Sequence, residues 1–246
     1  MIHLLSPAKS LDFSSNIDLT TATEPQFLRE AEKLVRKLRT TSKKKIKDLM
    51  SISDALVQLN AQRYQTWQGK TELSEESRQA IFAFTGDVYQ GLDVNSLKEE
   101  DLKYAQEHLM ILSGIYGVLR PLDVMEPYRL EMGTSLKVGR AKNLYEYWKD
   151  KPTELINERL REQENSVLVN LASNEYFKVV NKKKLEGTLI HPEFKDAKNG
   201  NYKIISFFAK KARGYMSRYI IENQISDPKD LEGFDTAGYR FNKDLS

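Results

Sequence analysis

The densest run of potential chemistry is Phe207-Phe-Ala-Lys-Lys-Ala-Arg-Gly-Tyr-Met-Ser-Arg-Tyr-Ile-Ile-Glu-Asn223. At helical spacing Ala209, Ala212, Met216, Tyr219 and Ile220 fall on one side as a core-facing stripe. Lys210 and Arg213 flank that stripe on one edge, Lys211 and Arg218 on the other, and Gly214 falls at the centre of the polar half. A glycine inside a helix costs about 1 kcal/mol against alanine, so close approach of a partner is one expected compensation. Four cations around a gap suit a polyanion. The competing reading is a solvated basic face.

Other segments carry reactive residue types at suggestive spacing. Ser6-Pro-Ala-Lys9 matches the S-x-x-K pattern in which a lysine one turn on activates a serine, but the companion S-D-N and K-T-G motifs are absent. A better reading places Lys9 just beyond the carboxyl end of a strand, where open α/β sheets bind ligands, with Ser10 and Asp12 bracing the loop. Gly69-Lys70-Thr71 resembles the tail of a phosphate-binding loop, yet Tyr64 stands where its first glycine belongs. In Gly86-Asp-Val-Tyr-Gln-Gly91, Asp87 reads first as a turn residue. Gly114 and Gly117 enclose Ile115 and Tyr116 rather than the polar pair that grips a nucleic-acid backbone. Arg120 precedes Pro121, which holds its backbone extended and aims the guanidinium. Arg129 and Glu131 sit at strand spacing, placing both on one face as a binding pair or a cross-strand ion pair. Asn170-Leu-Ala-Ser-Asn-Glu-Tyr-Phe-Lys178 follows a strand and opens a helix that Ser173 or Asn174 caps. Its first amides, with Lys178 one turn on, make the best small-anion candidate; an ordinary capped helix is the alternative.

Between Lys43 and Trp67 two helices are separated by a tight connection, with Leu49, Ile52 and Leu56 packing them. Lys43, Lys44, Lys45 and Lys47 crowd the start of the first, where they oppose the helix dipole, and this local cost points to another use. The arrangement is similar to a helix-hairpin-helix, which presents backbone amides to DNA phosphates. Ser51 and Ser53 occupy the places where glycines usually permit the approach, and a plain helical pair is the competing explanation.

The elements that must position these groups follow from patterning. Ile2 to Ser6 reads as a strand, Glu24 to Leu38 as a helix, Lys43–Met50 as a helix capped by Ser42, and Asp54 to Trp67 as another. Ser74 caps a further short helix. Ala80 to Phe84 and Ser166 to Leu171 are apolar runs suited to strands buried on both faces. Thr188 to Phe194 and Tyr202 to Phe208 form a hairpin around Lys198-Asn-Gly200. Helices are expected near 100–110, 143–163 and 209–223. The chain of 246 residues has no repeat or linker tract, so one compact α+β domain follows, with a mixed sheet and surrounding helices.

With 40% hydrophobic and 30% charged residues, this is an ordinary soluble composition. Cysteine is absent, which removes disulfides, thiolate metal sites and cysteine nucleophiles. His3, His108 and His191 are too scattered for a histidine-built metal site, and neither metal nor cofactor is expected. No run approaches the ~20 apolar residues of a membrane span, and the start carries no signal-like core, so the expectation is a cytoplasmic protein without membrane contact. The net charge of +3 is mild, but basic residues gather at 43–47, 182–184 and 210–218 while acids gather elsewhere.

Ser6-Pro-Ala-Lys-Ser-Leu-Asp-Phe13, Phe84-Thr-Gly-Asp-Val-Tyr89, Leu112 to Asp123, Pro127-Tyr-Arg-Leu-Glu-Met-Gly133, Asn170 to Lys178 and Phe207 to Gly214 occur in order along the whole chain. In these segments the sequence resembles the YaaA family of bacterial peroxide-stress proteins. The resemblance implies a single α/β domain of unusual topology with a helix-hairpin-helix element and a positively charged cleft. It also implies DNA binding and protection against peroxide by limiting damage that involves intracellular iron. It brings no established catalytic positions.

The leading expectation is therefore a monomeric, largely sequence-independent DNA-binding protein. Lys44, Lys45, Lys47, Ser51 and Ser53 would meet phosphates at the hairpin. Lys9, Arg120, Arg129, Lys178, Lys210, Lys211 and Arg213 would line a cleft. The rival is an enzyme for a nucleotide or phosphorylated small molecule, in which Lys9, Asp87, Arg120, Arg129, Glu131, Glu175 and Lys210 share a pocket with a carboxylate as acid or base. An iron-handling or interaction protein is a third reading.

Overall fold

A computed structural model describes residues 1–198 and 201–246. Among the described residues, seven strands are three or more residues long: β1 (Ile2–Leu5), β2 (Leu109–Ser113), β3 (Gly117–Leu119), β4 (Val167–Asn170), β5 (Thr188–Ile190), β6 (Asp196–Lys198) and β7 (Asn201–Lys203). The first five make one mixed sheet in the order β3-β2-β1-β4-β5. β1 lies parallel to both β2 and β4, with His3 opposite Leu109 on one side and Val169 on the other, and β3 alone runs antiparallel. The four residues each of β1 and β4 are buried throughout, as a parallel strand covered on both faces requires. Two further two-residue ladders, Ser10–Leu11 with Phe84–Thr85 and Arg78–Gln79 with Val124–Met125, brace the periphery.

Among the described residues ten α-helices accompany the sheet: α1 (Leu28–Arg39), α2 (Lys43–Met50), α3 (Asp54–Thr66), α4 (Ala80–Ala83), α5 (Asp87–Leu92), α6 (Glu99–His108), α7 (Leu144–Trp148), α8 (Lys151–Arg161), α9 (Asn174–Phe177) and α10 (Ser206–Glu222). α6 and α8 pack on β1 and its neighbours, and α10 reaches β1 through a buried bond of 3.0 Å between His3 Nε2 and Ser217 Oγ. α10 also packs along the length of α5.

Several expectations meet a different local solution. Gly214 is not an opening on the solvent side: it is buried against α5. A Cβ at Gly214 would lie 1.9 Å from the Val88 carbonyl oxygen, and one at Gly91 would lie 2.3 Å from the Lys211 carbonyl. The partner that compensates the mid-helix glycine is thus a second backbone of the same chain, and two glycines permit the crossing. Ala80–Ala83 closes into one helical turn before Phe84–Thr85 pairs as a strand, because an apolar run has no periodicity to separate the two forms. Ser74 bridges Ser77 in a turn rather than starting a helix. Thr188–Ile190 joins the main sheet beside β4, and the hairpin forms one step later, between Asp196–Lys198 and Asn201–Lys203. The turn residues Asn199 and Gly200 lie outside the described residues. Phe207 and Phe208 begin α10 instead of ending a strand, and both are exposed.

The Gly114–Gly117 segment is a structural turn between β2 and β3, with Ile115 and Tyr116 buried. Gly117 has φ +70, and the Trp148 ring lies 2.7 Å from where its Cβ would stand, so both backbone and space require glycine. Gly69-Lys70-Thr71 also has an internal use. The backbone amides of Gln68, Gly69 and Lys70 all donate to the buried carboxylate of Glu126, at 2.6 to 3.1 Å. The chain's own anion fills that loop.

Candidate functional site

The carboxyl ends of β1 and β4 are tied together before any charged group is placed. Ser6, the first residue after β1, accepts from the Ser173 amide at 2.8 Å, and the two hydroxyls lie 3.2 Å apart. The Tyr89 hydroxyl donates to the Ser6 carbonyl at 3.1 Å. Ser6 and Lys9 are therefore not a nucleophile and its base. Lys9 Nζ instead lies 2.7 Å from Glu131 Oε1, the same oxygen that Arg129 Nη2 meets at 3.2 Å. Glu131 and Arg129 are 18% and 15% exposed at their side chains while Lys9 is 65% exposed, so the lysine closes the outer edge of a largely buried pair.

Residues 126–136 follow an irregular path and need outside support. The Tyr64 hydroxyl of α3 donates to the Arg129 carbonyl, and the Gly133 amide donates to Glu175 Oε1 at 3.0 Å. Arg63, beside Tyr64, has its guanidinium pKa lowered by burial and then by the nearby Arg129 charge. Lys178 Nζ sits 4.9 Å from the centre of the Tyr145 ring, whose hydroxyl donates to the Glu175 carbonyl at 2.9 Å. Lys9 and Arg129 thus share Glu131, while Lys178 stands over the ring that bonds Glu175. Burial pushes the phenols of Tyr89, Tyr128 and Tyr176 well above their usual value, so they are neutral hydrogen-bonding groups, not bases. Tyr128 shares a bond of 2.6 Å with Ser113 at the end of β2.

A second group lies beyond β4 and β5. Asn170 is 1% exposed, takes the Ala172 amide on its oxygen at 2.9 Å, and faces His191 Nδ1 with its nitrogen at 2.9 Å. Arg213 of α10 and Lys182 both stand close enough to disfavour protonation of His191, whose pKa is lowered first by burial and then by these charges. Burial also lowers the Arg213 pKa, and among the described residues its guanidinium has no hydrogen-bond or carboxylate partner.

The remaining expected contacts divide by location. Arg120 does not join this end of the sheet. It follows the antiparallel β3, which points it toward the amino ends of the parallel strands, and its guanidinium is held by Asp123 at 3.2 Å. Asp123 in turn accepts from Thr23 at 2.6 Å, a structural corner. Lys210 is exposed, and Lys211 Nζ lies 5.8 Å from the Tyr215 ring. At the start of α9, where an anion cradle is expected, the Ser173 amide donates to Ser6 and the helix has only four residues.

α2 and α3 run antiparallel as a hairpin. Lys47 Nζ meets Asp54 Oδ1 at 2.7 Å and Lys43 Nζ bonds Gln58 Oε1. Ser51 turns the corner in the left-handed region (φ 50, ψ 51), and the Ser53 hydroxyl accepts from the Leu56 amide at 3.4 Å as a cap. Lys44 and Lys45 are exposed, with no ion pair among the described residues. A cavity of about 470 Å³ flanks the hairpin between α1, α2 and α3, and another of about 630 Å³ lies by α8. Neither is lined by the residues described at the carboxyl ends of the strands. Among the described residues no cluster of three or more His, Asp or Glu could hold a metal ion, and no helix is long and apolar enough to cross a membrane.

Sequence reasoning passed over the Asn170–His191 pair and the Tyr64 support. His191 directly after an apolar run and before Pro192 was the available signal, because a residue before proline is held extended at a strand exit.

Comparison with known proteins agrees with the order of these motifs. A family model described as "Peroxide stress protein YaaA" matches residues 1–245. A UPF0246 protein of Marinomonas sp. (strain MWYL1) is 54% identical over 246 residues, covering 100% of this chain and 94% of its own. Another from Alteromonas mediterranea is 52% identical over 247 residues, covering 100% and 95%. A UPF0246 protein of Aliivibrio fischeri is 50% identical over 241 residues, covering 98% and 93%. Matched from end to end, the chain belongs to the peroxide stress protein YaaA family, consistent with a role in peroxide stress.

Proposed function

We propose that the protein acts in the peroxide-stress response by binding DNA through its phosphate backbone, and so limits iron-linked oxidative damage to that DNA. The observation that carries this reading is the pair Lys44 and Lys45. They stand exposed and, among the described residues, without carboxylate partners in the first turn of α2, where the helix dipole disfavours them. A cost of that kind is explained if an anion neutralises them. The Ser51–Ser53 corner, with its left-handed residue, belongs to the same helix-hairpin-helix-like surface, and Lys47 borders it. α3 then runs from this corner to Tyr64 and the Arg129 carbonyl, six residues or about 9 Å beyond Gln58. Lys9, Lys178, Lys210, Lys211 and Arg213 continue the cationic surface, while Arg120 and Arg129 hold the scaffold through Asp123 and Glu131.

Backbone contacts predict affinity that falls by about 0.9 log unit per log unit of salt for each neutralised phosphate. The test is fluorescence anisotropy on labelled duplexes of unrelated sequence from low to physiological salt. Lys44→Glu/Lys45→Glu is expected to weaken all sequences alike and to reduce the salt slope by about two. Binding that ignores salt, or an unchanged slope in the variant, removes the reading.

A further inference from the structure

We propose that Arg213, His191 and Lys182 form a discrete subsite for a small phosphomonoester at the carboxyl ends of β4 and β5. The reading shares Arg213 with the cationic surface described above but otherwise rests on its own residues. Arg213 is the starting point. A guanidinium carries five donors and stays charged, so withdrawing it partly from water is unfavourable unless an acceptor replaces the lost hydration. Among the described residues none does. Glu193, the carboxylate that also faces His191, pairs with Lys195 at 3.0 Å.

His191 is prepared for the complementary role. Asn170 is fixed by the Ala172 amide, so its nitrogen donates to His191 Nδ1 and leaves the imidazole proton on Nε2. Burial and two neighbouring cations keep the ring neutral. A neutral Nε2–H is a donor without an added charge. Lys182 Nζ lies 5.5 Å from the Phe177 ring, which packs edge-on against His191 at 6.5 Å, so the lysine neighbours the same imidazole. The set is therefore one fork of donors, one ammonium and one neutral donor. Two full positive charges match a phosphomonoester dianion better than a backbone diester, which offers one negative charge. The position, beyond the carboxyl ends of adjacent parallel strands, is where α/β sheets hold ligands.

The experiment follows the His191 imidazole signals by NMR, with binding measured calorimetrically at low ionic strength, using inorganic phosphate, adenosine monophosphate and a duplex oligonucleotide. Phosphate and the mononucleotide are expected to shift His191, the mononucleotide at least as strongly. Arg213→Gln should weaken both about tenfold or more, as loss of a charge-assisted bond implies. His191→Gln, exposed enough to leave folding intact, should weaken them by a smaller factor, while Lys44→Glu/Lys45→Glu should leave them unchanged. If millimolar phosphate and mononucleotide leave His191 unmoved in the folded protein, the subsite does not exist. Duplex DNA moving His191 where the small anions do not has the same meaning, yet leaves the DNA reading standing.

Discussion

Acid should unfold this protein chiefly through His3. Its imidazole lies at the centre of the sheet on β1, fully buried, with Nε2 on Ser217 Oγ. Burial, followed by the neighbouring His108 and the terminal ammonium, lowers its pKa from 6.5 to about 3. The folded state thus keeps His3 neutral while the unfolded chain takes a proton below pH 6.5. Stability is complete above that value and is lost as pH falls toward 3. With those two constants the loss is about 2 kcal/mol at pH 5 and about 3.3 kcal/mol at pH 4, a large part of a typical domain's stability. The pKa of His108 is lowered too, first by burial, and contributes in the same direction. The assay is urea unfolding by circular dichroism from pH 7 to pH 4, comparing wild type with His3→Leu/Ser217→Ala, which removes the titrating ring and the hydroxyl it would strand. Carboxylates titrate alike in both proteins, so the difference isolates His3. The variant's curve should be flatter by about 3 kcal/mol over that range. Parallel curves would refute the reasoning.

Gly214→Ala places a methyl 1.9 Å from the Val88 carbonyl. The helix gains about 1 kcal/mol in propensity, but separating two backbones should cost more, and a net loss of about 2 kcal/mol is expected in thermal melts. Glu126→Gln turns a carboxylate that accepts from three successive amides into a group with donors of its own. It should lose about 2–3 kcal/mol and speed hydrogen exchange at Gly69 and Lys70. Tyr64→Phe removes the hydroxyl that supports the Arg129 carbonyl. A stability loss of about 1 kcal/mol is expected, with a measurable shift in the Arg129 side-chain NMR signals.

Legibility in the sequence varied with how local each cause was. The helix over Lys43–Met50 and its Ser42 cap follow from residues adjacent in the chain, and they form with the bounds patterning implies. β1 and β4 form within one residue of the ends expected for Ile2 to Ser6 and Ser166 to Leu171, because largely apolar runs require burial on both faces. β2 escaped notice because Leu109–Ser113 follows α6 directly and reads as its continuation. Gly214 was placed correctly on a helix but given the wrong neighbour, since only tertiary structure reveals that Gly91 faces it. Arg129 and Glu131 do pair, although by folding back in an irregular segment, not by standing side by side on a strand. Arg120 needed the direction of β3 to be known before its end of the sheet could be.

The central place of β1 has a consequence for biosynthesis. Its partners lie far downstream: His3 is 106 residues from Leu109 and 166 from Val169. At roughly 5–20 residues per second, translation takes about 8–33 s to deliver the second of them. Until the first of them emerges, a short strand that is apolar except for His3 is present with neither neighbour. The nascent polypeptide therefore has to finish its sheet late and all at once, and whatever shelters Ile2 to Leu5 near the ribosome governs how much of the protein reaches its native form.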